Sequence, residues 1–298
     1  MQEIGFIGLG NMGYPMVKNL LEDGYVVKVY DINSETLKKI KELKAIVVDK
    51  PEELAGQVDV LFTSLPSEKI VKDIYLSESG LFKQKSTSKT IMIDTSTVSP
   101  TLNNELKEEA EKNGISFLAA PVSGGVVGSV NRTLTFMVGG KKDTYDQVKE
   151  ILEHLGENIF HVGDAIDSGT TVKLINNLLI GFYTAGVSEA LHIANKQGID
   201  LDVLFEMLNV SYGQSRIYDR NYNTFIKDNN YEPGFSLDLL VKDLNFAIDL
   251  ADKHHLNLPI SKDLLELYTT VAKEGYGSKD MAVLYERVKD KSNEEDKK

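Results

Sequence analysis

The sequence predicts an α/β protein, a parallel-sheet domain followed by an all-helical one and joined to it by a long helix. Three observations carry that expectation. Short apolar runs alternate with amphipathic ones up to Val162, which is how strands and their covering helices alternate. Strand signals stop there. From Ser168 to Gly198 the chain then runs without a proline through SGTTVKLINNLLIGFYTAGVSEALHIANKQG, which predicts about 28 residues of helix, roughly 40 Å long.

The elements follow in order. Residues 4–7 form an apolar strand that enters the turn GLGNMG, and the next helix tolerates Pro15 near its start and ends at Gly24. Residues 26–30 make a second strand, closed by Asp31. Helix 34–43, strand 45–48, a short helix near 51–55 and strand 58–64 come next, and the run breaks at Leu65-Pro66. Helix 68–75, strand 90–93, helix 99–113 and strand 116–119 lead to a loop holding Ser123-Gly124-Gly125. Strand 134–138, helix 142–155 and strand 159–162 complete the alternation. The remainder reads as helices at 200–209, 215–228, 236–255, 261–274 and 279–289, with Asp200, Ser236 and Ser261 as N-caps. The turn GDAIDSG marks the boundary. The expected domains are 1–164, 165–290 and a charged, solvated tail at 291–298.

Composition narrows the function classes. A net charge of −12 argues against nucleic acid as the main partner, because phosphate binding needs a positive surface. With no cysteine there is no disulfide framework, thiolate metal site or cysteine nucleophile. Adjacent His254 and His255 lack the i, i+4 spacing of a metal pair, and His154, His161 and His192 form no matching cluster, so no metal is expected. The first ten residues lack a basic segment and a cleavage site, which points to a cytoplasmic protein. The long helix is apolar on nearly every face, as a helix inside a larger protein is. Lys173, Asn176, Asn177, Glu189 and His192 interrupt its apolar run too often for a membrane span.

Three motifs carry chemistry. Gly8-Leu9-Gly10-Asn11-Met12-Gly13 is a GxGxxG between a strand and a helix. Glycine is needed there for the turn, for close approach to a pyrophosphate, and for packing helix on strand. Asp31 closes the second strand at the spacing of an acid that binds a ribose 2′-hydroxyl, so the first domain is Rossmann-type and binds a dinucleotide. A carboxylate there repels a 2′-phosphate and no arginine follows it, which favours NAD over NADP. Ser123-Gly124-Gly125, beyond a strand end, offers backbone N–H groups and a hydroxyl to a carboxylate, although a plain turn fits as well. Asp94-Thr95-Ser96-Thr97 adds hydroxyls at another strand end. Lys173, Asn176 and Asn177 share one face of the long helix. A partly desolvated lysine can exchange the hydroxyl proton in hydride transfer, because burial lowers the pKa of an amine; spacing alone leaves catalysis and a snorkelling structural role both open.

Taken together, FIGLGNMGYPM, DTSTVSP, PVSGG, LTFMVGG, GTTVKLINN and VKDLNFAIDLA, in this order along nearly the whole chain, resemble the β-hydroxyacid dehydrogenase family, which includes 3-hydroxyisobutyrate dehydrogenase. The resemblance implies a dehydrogenase with Lys173 as general acid/base. It implies substrate contacts from Ser123, Gly124, Gly125, Asn177, Phe235 and Asp243, with Asn176 beside them on the helix face. Cofactor contacts are implied for Gly8, Gly10, Asn11, Met12, Gly13, Asp31, Leu65, Pro66, Thr97 and Lys242. The expected reaction interconverts a short 3-hydroxy acid and its semialdehyde with NAD. Reduction of a related small carbonyl acid (tartronate semialdehyde, succinic semialdehyde, glyoxylate or sulfolactaldehyde) is the alternative, and a silent NAD-binding module is a third reading. Members commonly dimerise, so a homodimer or homotetramer is expected. By sequence alone, Lys242 and Asp243 pass for helix-surface residues and Phe235 for a core aromatic. The chain departs from the family pattern at Ala119, where an acid is usual, at Arg132, where glycine is common, and at Arg216, near a usual tryptophan. Arginine is solvated by default; the alternative for Arg216 is that it meets a second anionic group on a substrate, such as a distal carboxylate or sulfonate.

Overall fold

The computed structural model describes residues 2–84 and 90–295, with side chains as far as residue 289. The first part contains β1 (Glu3–Ile7), α1 (Gly13–Glu22), β2 (Val26–Tyr30), α2 (Ser34–Glu42), β3 (Ile46–Val47), β4 (Val60–Thr63), α3 (Glu68–Leu76), β5 (Ile91–Asp94), α4 (Pro100–Lys112), β6 (Ser116–Ala119), β7 (Val122–Ser123), α5 (Gly125–Asn131), β8 (Leu134–Gly139), α6 (Lys142–Glu153) and β9 (Gly156–Gly163). The second is helical: α7 (Ser168–Lys196), α8 (Leu201–Asn209), α9 (Arg216–Asn221), α10 (Leu237–Lys253), α11 (Pro259–Val271) and α12 (Leu284–Glu295). The chain packs as two compact units, Met1–Lys173 and Leu174–Lys298, which divide six residues into α7.

In the first unit the strands lie in the order β3-β2-β1-β4-β5-β6-β8-β7, with β9 paired to β8. Alternation of side chains builds a core on each face of the sheet. Ile4, Phe6, Val60, Phe62, Ile91 and Ile93 meet Met16, Val17 and Leu20 of α1 and Val148 and Leu152 of α6. Ile7, Leu61 and Met92 face the other way, onto Val71 and Tyr75 of α3 and Leu102 and Leu106 of α4. A strand covered on both faces must be apolar throughout, which is why FI, VLF and IMI read as unbroken runs. Truncating a ring such as Phe62, fully buried, costs roughly 3–5 kcal/mol on that account.

Four features differ from expectation. The sheet is not wholly parallel: β8 runs antiparallel to β6 and β7. The loop at Ser123-Gly124-Gly125 is instead a two-residue strand followed by a seven-residue helix, α5. GVVGSVN escapes recognition because its two glycines and β-branched valines are poor helix formers. Ser261 is not a cap, since Pro259 already starts α11 and Ser261 is buried inside it. At the C-terminus, α12 continues to Glu295 through the first residues of the expected charged tail; residues 296–298 lie outside the described set.

In the second unit, Leu237, Leu240 and Leu244 of α10 pack with Leu264, Tyr268 and Val271 of α11, and Leu178, Ile180 and Phe182 of α7 join them. Tyr268 is fully buried and its hydroxyl donates to the Gly181 carbonyl at 2.9 Å. A methyl at Gly181 would sit 3.2 Å from Leu264, so the bare backbone there lets α11 approach α7. This helix is not covered all round. Ile175, Leu179, Tyr183 and Ile193 are 48–66% exposed and form an apolar stripe along one side.

Candidate active site

The parallel strands of the first unit end on a common rung. Ile7 pairs with Tyr30 and Thr63, Thr63 with Asp94, and Asp94 with Ala119. The next residues on each strand therefore emerge along one edge of the sheet: the glycine turn, Asp31, Ser64-Leu65-Pro66, Thr95-Ser96-Thr97 and Ala120. That edge is where open α/β sheets bind ligands. It brings together the sequence-predicted Gly8, Gly10, Asn11, Met12, Gly13, Asp31, Leu65, Pro66 and Thr97. Ser123 lies farther along the chain from the same edge, because after Ala119 the backbone continues alongside β8, with Val122 opposite Phe136 and Ser123 opposite Thr135. Gly124 and Gly125 follow it into α5.

The glycine turn meets the demands of the motif. Gly8 has φ +95°, and a Cβ on Gly13 would stand 1.9 Å from the Gly8 carbonyl oxygen, so no side chain fits either place. Gly10 differs, since nothing of the chain lies within 4 Å of where its Cβ would be. That open side is the one a pyrophosphate requires. Asp31 is already oriented: its carboxylate accepts the Leu9 N–H at 2.5 Å and the Asn33 N–H at 2.7 Å. These bonds tie the end of β2 to the turn and fix where the negative charge stands. The residues fit a dinucleotide.

Beneath this edge lies a polar network that the sequence reading named only as strand-end hydroxyls. Asp94 is 1% exposed and accepts from Thr63 Oγ1 at 2.7 Å and from Ser96 Oγ at 2.6 Å. Thr63 also bonds the Tyr75 hydroxyl at 2.8 Å, and Ser96 Oγ accepts the Leu65 N–H at 2.9 Å. Burial, and then the nearby Asp94 charge, hold the Tyr75 phenol well above its ordinary range, so it stays a neutral hydrogen-bonding group. A carboxylate ending the otherwise apolar strand IMID was the signal available in the sequence. The network connects Leu65 to the strand carrying Thr95 to Thr97.

Lys173 lies on the first unit's part of α7 and is 8% exposed. In the second unit, Asn177 is fully buried and donates to Asp243 Oδ2 at 2.6 Å, while Asn176 donates to Asn177 Oδ1 at 3.0 Å. Lys242 stands 3.3 Å from Asp243 Oδ1. Asp243, at 2% exposure, is therefore not the surface residue its helix pattern suggests; it accepts the Asn177 amide at one carboxylate oxygen and forms an ion pair with Lys242 at the other. Phe235 is half-buried and packs with the α10–α11 core. Its backbone N–H donates to the fully buried Asp280 at 2.9 Å, and Asp280 is paired with Arg220. Sequence reasoning missed Asp280. Arg132 reaches Asp23, its Nη1 lying 2.7 and 2.8 Å from the two carboxylate oxygens, and has φ +61°, the left-handed conformation in which glycine is usual. Arg216 is exposed in the first turn of α9. Among the described residues no group of three or more potential ligands could hold a metal ion.

Comparison with known proteins agrees with this geometry. Residues 3–163 match the family model of the NAD-binding domain of 6-phosphogluconate dehydrogenase, and residues 167–288 that of the NAD-binding segment of NADP-dependent 3-hydroxyisobutyrate dehydrogenase. The chain is 35% identical to mitochondrial 3-hydroxyisobutyrate dehydrogenase of Mus musculus, over 96% of this chain and 87% of that one. It is 32% identical to 2-(hydroxymethyl)glutarate dehydrogenase of Eubacterium barkeri, over 95% and 93%. A solved structure of Mycobacterium tuberculosis 3-hydroxyisobutyrate dehydrogenase with L-serine superposes with a TM-score of 0.87 at 31% identity, covering 97% of this chain and 99% of that one. An imine reductase from Myxococcus stipitatus, at 16% identity and a TM-score of 0.66, shares the fold alone. With both parts of the chain matched and the dinucleotide turn built as the motif requires, the chain belongs to the β-hydroxyacid dehydrogenase family of NAD(P)-binding oxidoreductases.

Proposed function

We propose that this protein interconverts a short 3-hydroxy acid, of the 3-hydroxyisobutyrate kind, and its semialdehyde, with NAD(H) as cofactor and Lys173 as the general acid/base. The observation that carries the reading is a single lysine, 8% exposed, on the same helix face as a buried asparagine one turn on. Bound nicotinamide supplies or takes up the hydride. The remaining work belongs to the chain. In oxidation, neutral Lys173 accepts the proton of the substrate hydroxyl at Nζ; in reduction, protonated Lys173 returns it. Ser123, Gly124 and Gly125 hold the carboxylate with a hydroxyl and backbone N–H groups. Asn177, Asn176, Phe235 and Asp243 are assigned to the substrate, and Lys242 to the cofactor, as in the family pattern.

Asp31 supports NAD as the preferred form, because its carboxylate stands where a 2′-phosphate would be repelled and is held there by two backbone N–H groups. The exposed stripe of Ile175, Leu179, Tyr183 and Ile193 supports a homodimer or larger homo-oligomer, since contiguous apolar surface of this kind is normally covered; light scattering of the purified chain tests it. No helix among the described residues is long and apolar enough to cross a membrane. A cytoplasmic home belongs to the same proposal, and cell fractionation tests it, because several relatives are named mitochondrial.

The deciding experiment is NADH oxidation with a panel of semialdehydes and related carbonyl acids, run on the native chain and on Lys173→Ala. Loss of acid/base assistance lowers kcat by roughly 10²- to 10⁴-fold. A Lys173→Ala chain with near-native kcat removes the assignment. A native chain that binds NADH but turns over none of the panel favours the silent-module reading.

A further inference from the structure

Helix α5 carries no residue assigned to chemistry beyond Gly125, yet it is tied to α1 by a set of specific bonds. Ser129 is fully buried, and its hydroxyl donates to the Met12 carbonyl at 2.8 Å. The Ser129 carbonyl in turn accepts from Asn19 Nδ2, also at 2.8 Å, and Asn19 is 4% exposed. Just past the end of α5, Arg132 grips Asp23 at the end of α1 with two bonds, reaches Glu22 at 3.1 Å, and donates to the Asn19 carbonyl at 3.2 Å. His154, capping α6, shares Asp23 at 2.7 Å. A methyl on Gly128 would already meet Leu134 at 3.2 Å, so α5 lies close against β8 as well.

The Ser129 bond acts on one peptide in particular. Met12 is the residue before the first turn of α1, and its carbonyl shares a rigid plane with the Gly13 N–H. That N–H is one of the first-turn donors a helix cannot satisfy internally, and such donors are what a dinucleotide phosphate uses. At its other end, α5 continues directly from Ser123, Gly124 and Gly125. One hydroxyl thus holds a peptide of the dinucleotide turn against the segment that bears the carboxylate cradle.

We propose that Ser129 is a positioning residue for both ligands: by bonding the Met12 carbonyl it orients the Gly13 N–H toward the cofactor and registers the Ser123-Gly124-Gly125 segment on α1. Arg132 and Asp23 hold the far end of α5 so that this bond stays closed. The inference rests on the reading of Gly8 to Gly13 as a dinucleotide turn and of Ser123 to Gly125 as the substrate cradle.

The test uses Ser129→Ala, which removes only the hydroxyl, and Ser129→Thr, which keeps it. Loss of one hydrogen bond's worth of orientation weakens NADH binding, read by fluorescence titration of the chain without substrate, by roughly 3- to 10-fold. The hydroxy-acid KM rises as well and proportionally more than kcat falls, because Lys173 is untouched. The threonine variant restores both values toward native. A bond that served only to stabilise the fold would lower the thermal midpoint of the alanine variant and leave the NADH Kd within twofold of native, which overturns the proposal. If Ser129→Ala fails to fold, Arg132→Gly takes its place, since glycine adopts the left-handed backbone of that position while releasing Asp23. A weaker NADH Kd in that variant supports the proposal and an unchanged one overturns it. A native chain that binds no NADH is a different failure, because it removes the dinucleotide turn itself.

Discussion

Replacing Asp31 by asparagine separates the two jobs assigned to that carboxylate. As an acceptor it holds the Leu9 and Asn33 N–H groups at 2.5 and 2.7 Å, and as a charge it is assigned to the 2′ position of the ribose. Asparagine keeps one acceptor oxygen and removes the charge. The acceptor loss acts on the turn and weakens both cofactors alike, by roughly 1.5–3 kcal/mol for a bond to a charged group. The charge acts on NADPH alone. At a separation of about 5 Å it is worth about 1 kcal/mol at the dielectric of water and about 3 kcal/mol at an effective value of 20, which spans roughly 4- to 250-fold in affinity per unit of phosphate charge. Asp31 is half-buried, so the expected figure lies inside that range. Steady-state kcat/KM for NADH and NADPH, measured on both chains, should show the native enzyme preferring NADH and the variant losing roughly 4- to 250-fold of that preference, because NADPH alone is relieved of the repulsion. Raising the salt concentration should narrow the native preference, because the repulsion is screened. A native kcat/KM for NADPH above that for NADH refutes the reasoning, as does an Asp31→Asn variant in which both cofactors change by the same factor.

Other outcomes follow from the same geometry. Asp243→Ala strands the fully buried Asn177 amide and should lower unfolding stability by roughly 1–3 kcal/mol in urea, whereas Asp243→Asn, which retains an acceptor, should lose less. Burial raises the carboxyl pKa of Asp23, but the bonds from Arg132 and His154 outweigh it and hold it below its usual 3.8. The stability that Asp23 contributes is therefore present above that pH and lost as pH falls through the depressed value. The difference in thermal midpoint between the native chain and Asp23→Asn should shrink below about pH 4; a difference constant down to pH 2 would contradict it. Arg216→Ala should reduce kcat/KM for dicarboxylic hydroxy acids more than for monocarboxylic ones if the exposed guanidinium meets a second anion, and an equal change removes that role.

Much of the architecture was legible because it follows from periodicity. FIG, VLF and IMI are apolar on both faces since both faces of those strands are covered, and the glycine turn announces itself because no side chain fits at Gly8 or Gly13. What escaped depends on distant partners. Nothing in GVVGSVN says that Ser129 meets Met12, over a hundred residues away. The spacing of VKDLNF does not tell that Asp243 turns inward to Asn177, because a charged residue on an amphipathic helix is ordinarily at the surface. The antiparallel course of β8 was equally hidden, since strand direction is set by the path of the connection and leaves no mark on the strand's own residues. Arg132 looked like an anomaly where glycine is common. Its left-handed backbone is the reason glycine suits the position, and its pairing with Asp23 offsets the cost of a side chain there.

The continuity of α7 bears on the roles proposed for Lys173 and Asn177. Lys173 ends the first compact unit and Asn177 stands near the start of the second, yet the two residues are joined by uninterrupted helix. Their separation is set by the helical repeat, about 6 Å of rise on one face, and owes nothing to how either core packs. A helix with a kink or a glycine between them would surrender that constraint, but the intervening residues are Leu174, Ile175 and Asn176. The backbone spacing of Lys173 and Asn177 is therefore fixed by the helix itself. Asn177 is in turn held by Asp243 and Asn176. A kink or a glycine in that stretch would let the spacing vary, so the roles proposed for Lys173 and Asn177 rest on the continuous backbone of α7 from one to the other.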